Sequence, residues 1–103
     1  MKPNRALALY WYRRAYLQGE RCAASNIGIV YRDEKKLRRA LAWFERAVKL
    51  KDGDANLEIA KIYLQRNDRT RAVRYLKQFC KAKPEDVTEA SKEEAEKLLR
   101  RLG

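Results

Sequence analysis

The 103-residue chain contains no histidine, only two cysteines, two prolines and four glycines. Without histidine there is no Ser-His nucleophile pair, no His-bearing zinc site and no imidazole switch near neutral pH. The composition therefore argues against most hydrolases and metalloenzymes. There is also no Gly-rich phosphate loop and no nucleophile elbow, so no cofactor and no enzymatic activity are expected. Cys22 and Cys80 stand 58 residues apart, outside any Cys-x-x-Cys pattern. They read as reduced, packed thiols, the alternatives being a disulfide or a reactive thiol. No apolar run reaches the roughly 18 residues that a membrane-spanning helix needs. Met1-Lys2-Pro3-Asn4 lacks the form of a secretory signal, and a cytoplasmic location is expected.

Positive charge is what the chain has in excess. Lysine and arginine number 25 against 14 acidic residues, for a formal net charge of +11. Residues 1–50 carry +8 of it, and residues 51–103 carry +3. Lys61 to Lys83 hold eight bases and only Asp68 on the acidic side. Such a body draws anionic partners of any kind, and charge alone does not choose among them. A hydrophobic fraction of 46% is enough for one core, so a single domain over residues 1–103 is expected.

Apolar residues recur at helical rather than alternating spacing throughout. Asn4 is a suitable N-cap for a helix reaching about Leu17, with Gly19 as its break. Further helices are expected over about 20–32, 36–50, 54–66 and 69–82, the fourth capped by Asp54. Asp33-Glu34, Asp52-Gly53-Asp54, Asn67-Asp68 and Lys83-Pro84-Glu85-Asp86 separate them. Ser91 and Glu94, at capping-box spacing, announce a sixth helix that ends at Leu102-Gly103. Short loops between six helices imply antiparallel neighbours.

A shift of 32 residues superimposes the chain on itself. Ala8-Leu9-Tyr10-Trp11-Tyr12 and Ala15 fall on Ala40-Leu41-Ala42-Trp43-Phe44 and Ala47, and Ala23, Ile27, Val30 and Tyr31 fall on Ala55, Ile59, Ile62 and Tyr63. A weaker third copy carries Ala72-Val73 and Tyr75-Leu76. Small residues at Ala23, Ala55, Gly28 and Ala60 allow close helix approach, while Tyr31, Tyr63, Trp43 and Phe44 fill the space between pairs. By the same analogy Trp11 and Tyr12 are expected in the core. The repeat units are read as approximately 8–39, 40–71 and 72–103.

Asn26-Ile27-Gly28, Tyr31, Ala40, Phe44 and Ala47, followed by Ile59-Ala60, Tyr63, Ala72, Leu76 and Pro84, resemble the tetratricopeptide pattern. Trp11-Tyr12, Ala15, Gly19, Ala23, Ile27-Gly28 and Tyr31 are similar to a Sel1-like repeat, a relative of that family. The period of 32 is shorter than either family usually shows, and Phe79 stands where the second unit should carry alanine. The resemblance implies an all-α, right-handed superhelix of about three antiparallel helix pairs. It further implies a non-enzymatic adaptor whose inner groove binds a protein or peptide.

Mapped onto this chain, the resemblance points to Asn26, Ile29, Arg32, Glu58, Lys61 and Gln65 as groove residues, with an acidic partner in view. Glu58 and Asp33 place negative charge in the same groove, so a full two-carboxylate clamp is not visible. The first helix concentrates large apolar residues, and Leu9, Tyr10 and Tyr16 are candidates for self-association as a homodimer. A second class of function is nucleic-acid binding through Arg38, Arg39, Arg66, Arg69, Arg71 and Arg74. The C-terminal helix, polar apart from the stripe of Leu98, Leu99 and Leu102, suits a solvating cap.

Overall fold

A computed structural model describes residues 4–102 of the chain; residues 1–3 and the closing Gly103 lie outside them. Six α-helices follow one another among the described residues: α1 (Arg5–Leu17), α2 (Ala23–Asp33), α3 (Leu37–Lys49), α4 (Asp54–Gln65), α5 (Arg69–Lys81) and α6 (Glu89–Leu102). A single 3-10 turn, Pro84–Asp86, precedes α6.

The chain reverses at regular intervals because each of the first four helices ends the same way. Gly19, Lys35, Lys51 and Asn67 have positive φ values of 86°, 62°, 67° and 59°. They are sixteen residues apart, half the sequence repeat. In each case the next residue's amide donates back to a carbonyl five residues earlier: Glu20 to Ala15, Lys36 to Tyr31, Asp52 to Ala47 and Asp68 to Tyr63, at 2.9–3.0 Å. This is the Schellman closure, which satisfies carbonyls a helix end leaves open. Glycine suits the left-handed position best, yet two of the four positions hold lysine.

Alternate reversals sort the helices into two layers, and the fold is an all-α solenoid. Side chains link α2 to α4 through Arg32 and Glu58, and α4 to α6 through Lys61 and Glu94, forming the inner layer. Tyr16 of α1 packs edge-on against Trp43 of α3, with ring centroids 5.2 Å apart, and Tyr75 of α5 donates to Glu45 of α3 at 3.2 Å. Those contacts form the outer layer. Between the layers, Leu9, Ile27, Tyr31, Phe44, Ile59 and Ile62 build one buried cluster. Leu57, Leu76, Phe79 and Ala95 build a second beside α6.

Several local expectations are corrected. Helix α2 starts at Ala23 rather than Glu20, because residues 20–22 complete the turn and the Ala23 amide donates to the Glu20 carbonyl. Asp54 is the first residue of α4, not its cap, and its carboxylate accepts instead from the Thr88 amide at 2.9 Å. Helix α6 begins two residues before Ser91: the Thr88 hydroxyl accepts from the Ser91 amide, and Glu94 turns to Lys61. Cys22 and Cys80 are free but exposed, not packed. Cys22 precedes α2 in the loop and makes no capping bond, and Cys80 follows Phe79 off the apolar stripe of α5, so neither belongs to a core cluster. Phe79, the departure from the repeat, is 4% exposed in the second cluster.

Candidate functional site

Three surfaces carry the chemistry expected of the sequence, and the fold treats each differently. The first is the inner face of α2, α4 and α6. Arg32 forms an ion pair with Glu58 and lies 3.7 Å from Asp33. Lys61 then bridges Glu58 at 3.3 Å and Glu94 at 2.9 Å. The result is a ladder across three helices: Asp33, Arg32, Glu58, Lys61, Glu94. Burial alone would lower the Lys61 pKa, but the hydrogen bond to Glu94 and the charges of Glu58 and Glu94 outweigh it and hold it above the usual lysine value. Lys61 is therefore cationic at neutral pH, and its charge is already matched within the chain.

Arg32, Glu58 and Lys61 are thus brought together. Asn26 and Ile29 lie earlier on α2, both half-buried, with Ile29 packed against the first core cluster. Gln65 is exposed at the last residue of α4. Sequence reasoning missed Glu94, the residue that closes the ladder, because its spacing from Ser91 suggested a cap.

The second surface is α1. Leu9 is 7% exposed and belongs to the core, so it is not available on a free face. Tyr16 is half-buried against Trp43. Tyr10 is 51% exposed. Trp11, expected in the core, is 55% exposed, and Leu7 and Leu17 join it on the surface. The reason is positional. The equivalent Trp43 is covered because α1 lies in front of α3, whereas nothing in the described chain lies in front of α1. The Arg14 guanidinium sits over both the Tyr10 and Trp11 rings, at 5.7 and 5.5 Å from their centroids.

The third surface is one end of the solenoid. The turns between α2 and α3 and between α4 and α5 lie at the same end, and Lys35, Lys36, Leu37, Arg38, Arg39 and Arg66 line one shared depression of about 550 Å³. Arg69 and Arg74 follow on the outer face of α5. Arg71 pairs with Asp68 at 3.4 Å and lies over Tyr63, and Arg39 lies over Tyr31. Asp68 also caps α5 through the Arg71 amide, while α3 has Lys36 at the corresponding position and no side-chain cap.

The opposite end is tied together differently. Arg21 reaches Asp86 at 2.6 Å and the Glu85 carbonyl at 3.1 Å. Ser25 donates to the buried Asp52 at 2.7 Å. Burial pushes the Asp52 pKa up, Asp54 adds to that, and the Ser25 bond and Arg21 offset part of it. Among the described residues no cluster of three or more His, Cys, Asp or Glu side chains could hold a metal ion. No helix there is long and apolar enough to cross a membrane.

Two consecutive stretches, residues 23–54 and 53–86, match the family model of the tetratricopeptide repeat, and together they cover more than half of the chain. They correspond to α2 with α3 and α4 with α5. No curated protein and no solved structure matches the chain.

Proposed function

Because the chain belongs to the tetratricopeptide repeat family, whose repeats generally mediate protein–protein interaction and scaffolding, we propose that it is a non-enzymatic adaptor that docks a helix of a partner protein on the open face of α1. One observation carries this reading: Trp11 is 55% exposed while its repeat equivalent Trp43 is covered by the Tyr16 ring. A helix lying in front of α1, as α1 lies in front of α3, would cover Leu7, Tyr10 and Trp11 together. Aromatic residues of this size are the usual anchors of protein interfaces. Arg13 and Arg14 flank the patch, so an acidic helix is the complementary partner. The Sel1-like spacing from Trp11 to Ala23 supports reading α1 and α2 as a further unit of that kind.

The inner face contributes a secondary line of contact through Asn26, Ile29, Arg32, Glu58, Lys61 and Gln65. Its cations already have carboxylate partners, so a ligand carboxylate there would compete with Glu58 and Glu94. Two unpaired, exposed thiols suit a reducing compartment such as the cytoplasm.

The test is affinity capture from host lysate at physiological salt after nuclease treatment, run with wild type, with Tyr10→Ala plus Trp11→Ala, and with Lys61→Ala. A protein that is retained by wild type and lost with the α1 variant supports the reading. A partner lost only with Lys61→Ala moves the site to the inner face. A strictly monomeric mass by sedimentation at high concentration excludes a second copy as the occupant.

A further inference from the structure

Reversal every sixteen residues has an electrostatic consequence. The α2–α3 and α4–α5 turns share one end of the solenoid, and the α1–α2, α3–α4 and α5–α6 connections share the other. At the second end, Arg21, Lys49, Lys51, Lys81 and Lys83 are balanced by Glu20, Asp52, Asp54, Glu85, Asp86 and Glu89. At the first end the acids are few, and each has a cation of this chain beside it. Glu34 pairs with Arg5 and lies 3.4 Å from Lys36; Asp33 lies beside Arg32; Asp68 caps α5 and holds Arg71. Arg38, Arg39, Arg66, Arg69 and Arg74 are exposed and have no ion-pair partner among the described residues.

We propose that this end, from Arg38 and Arg39 across Arg66 to Arg69 and Arg74, is a binding surface for the phosphate backbone of a nucleic-acid duplex. Three observations select that partner. Five of the unpaired cations here are guanidinium groups, with the exposed Lys35 and Lys77 beside them, and the planar fork of a guanidinium matches a phosphate better than an ammonium does. Of the large apolar side chains that are exposed, Leu7, Tyr10, Trp11 and Leu17 lie on α1 and Leu50 at the end of α3; none lines the depression, whose one apolar residue, Leu37, is half-buried. An acidic protein would therefore find no hot-spot anchor at the two turns, and a membrane surface no apolar side chain to insert. The same lack removes any open ring on which unpaired bases could stack, so a duplex, read through its backbone alone, fits better than a single strand. Arg38, Arg39 and Arg66 converge on one depression of about 550 Å³, and Arg69 and Arg74 extend the line onto α5.

About four phosphates neutralised by these guanidiniums give a slope of roughly −4 in log affinity against log salt, or a loss of about 10²-fold between 50 and 200 mM. The experiment is fluorescence anisotropy with a 20-base-pair DNA of arbitrary sequence, the matching single strand, a poly-glutamate peptide and anionic vesicles. The triple variant Arg38→Gln, Arg39→Gln, Arg66→Gln is expected to weaken duplex binding at least tenfold and to flatten the slope by about 2–3. Lys49→Gln, Lys81→Gln, Lys83→Gln removes the same formal charge from the opposite end and is expected to leave binding within about twofold; circular dichroism checks that both variants fold. Equal losses in the two triple variants, no duplex binding at 50 mM salt, or tighter binding of the single strand, the peptide or the vesicles would each overturn the proposal. The α1 variant, Tyr10→Ala plus Trp11→Ala, is expected to leave duplex binding unchanged, which separates it from partner docking.

Discussion

The Phe44 ring lies directly against the backbone of Gly28: a Cβ built on Gly28 would stand 2.8 Å from two ring carbons and 3.0 Å from a third. Phe44 is fully buried. Glycine in a helix interior ordinarily costs about 0.5–1 kcal/mol relative to alanine. Here the seam between α2 and α3 closes only because the Cβ is missing. Gly28→Ala is expected to destabilise the protein by about 1–3 kcal/mol in urea unfolding, since overpacking outweighs the gain in helix propensity. Adding Phe44→Leu should recover part of the clash. A Gly28→Ala protein more stable than wild type would show that the seam yields freely.

Lys51 holds a left-handed backbone with φ of 67° at the end of α3. That conformation costs an L-residue roughly 1–2 kcal/mol, against about 0.5–1 kcal/mol of extra chain entropy for glycine. Lys51→Gly is expected to stabilise the fold by about 0.5 kcal/mol, read from the denaturation midpoint. Asn67 occupies the same place at the end of α4. Asparagine tolerates it, so Asn67→Gly should change little.

Asp52 is 6% exposed, and burial keeps its folded-state pKa above the ordinary 3.8. Between the two values the folded protein binds more protons than the unfolded chain, so stability falls as pH rises through that window. The penalty is complete above the folded-state value and absent below the ordinary one. Asp52→Asn keeps an acceptor for the Ser25 hydroxyl and removes the charge. Its Tm should exceed that of wild type at about pH 7 and converge with it at about pH 3. A variant less stable at both pH values would assign Asp52 a favourable charged interaction instead.

Trp11 and Trp43 occupy equivalent repeat positions but not equivalent surroundings. Trp43 is half-buried beneath Tyr16, with Arg46 over its ring at 4.4 Å. Trp43→Ala is expected to cost about 2–3 kcal/mol, below the range for a fully buried ring. Trp11→Ala should stay within about 0.5 kcal/mol. Thermal unfolding of both variants, compared at equal concentration, checks the contrast.

Much of this molecule is legible along the chain. Asn4 caps α1 through the Leu7 amide as its side-chain type suggests, Asp68 marks the start of α5, and the small residues Ala23, Gly28, Ala55 and Ala60 mark where helices approach. The candidate surfaces are less so. Leu9 and Trp11 sit two residues apart on one helix, and one is buried while the other is open. Glu94 reads locally as part of a cap, yet it closes an ion ladder with a lysine 33 residues away.

Helix positions, their reversals and the 32-residue repeat follow from the sequence because periodicity, capping and left-handed turn residues act over a few residues at a time. Only the tertiary structure decided which copy of a repeated position has a neighbour, which charges cancel across the inner face, and which arginines gather at one end without a counter-charge. Those outcomes depend on where the reversals bring distant segments together. A repeat makes that hard to read, because equivalent residues carry the same local signal whether they lie inside the stack or at its open end.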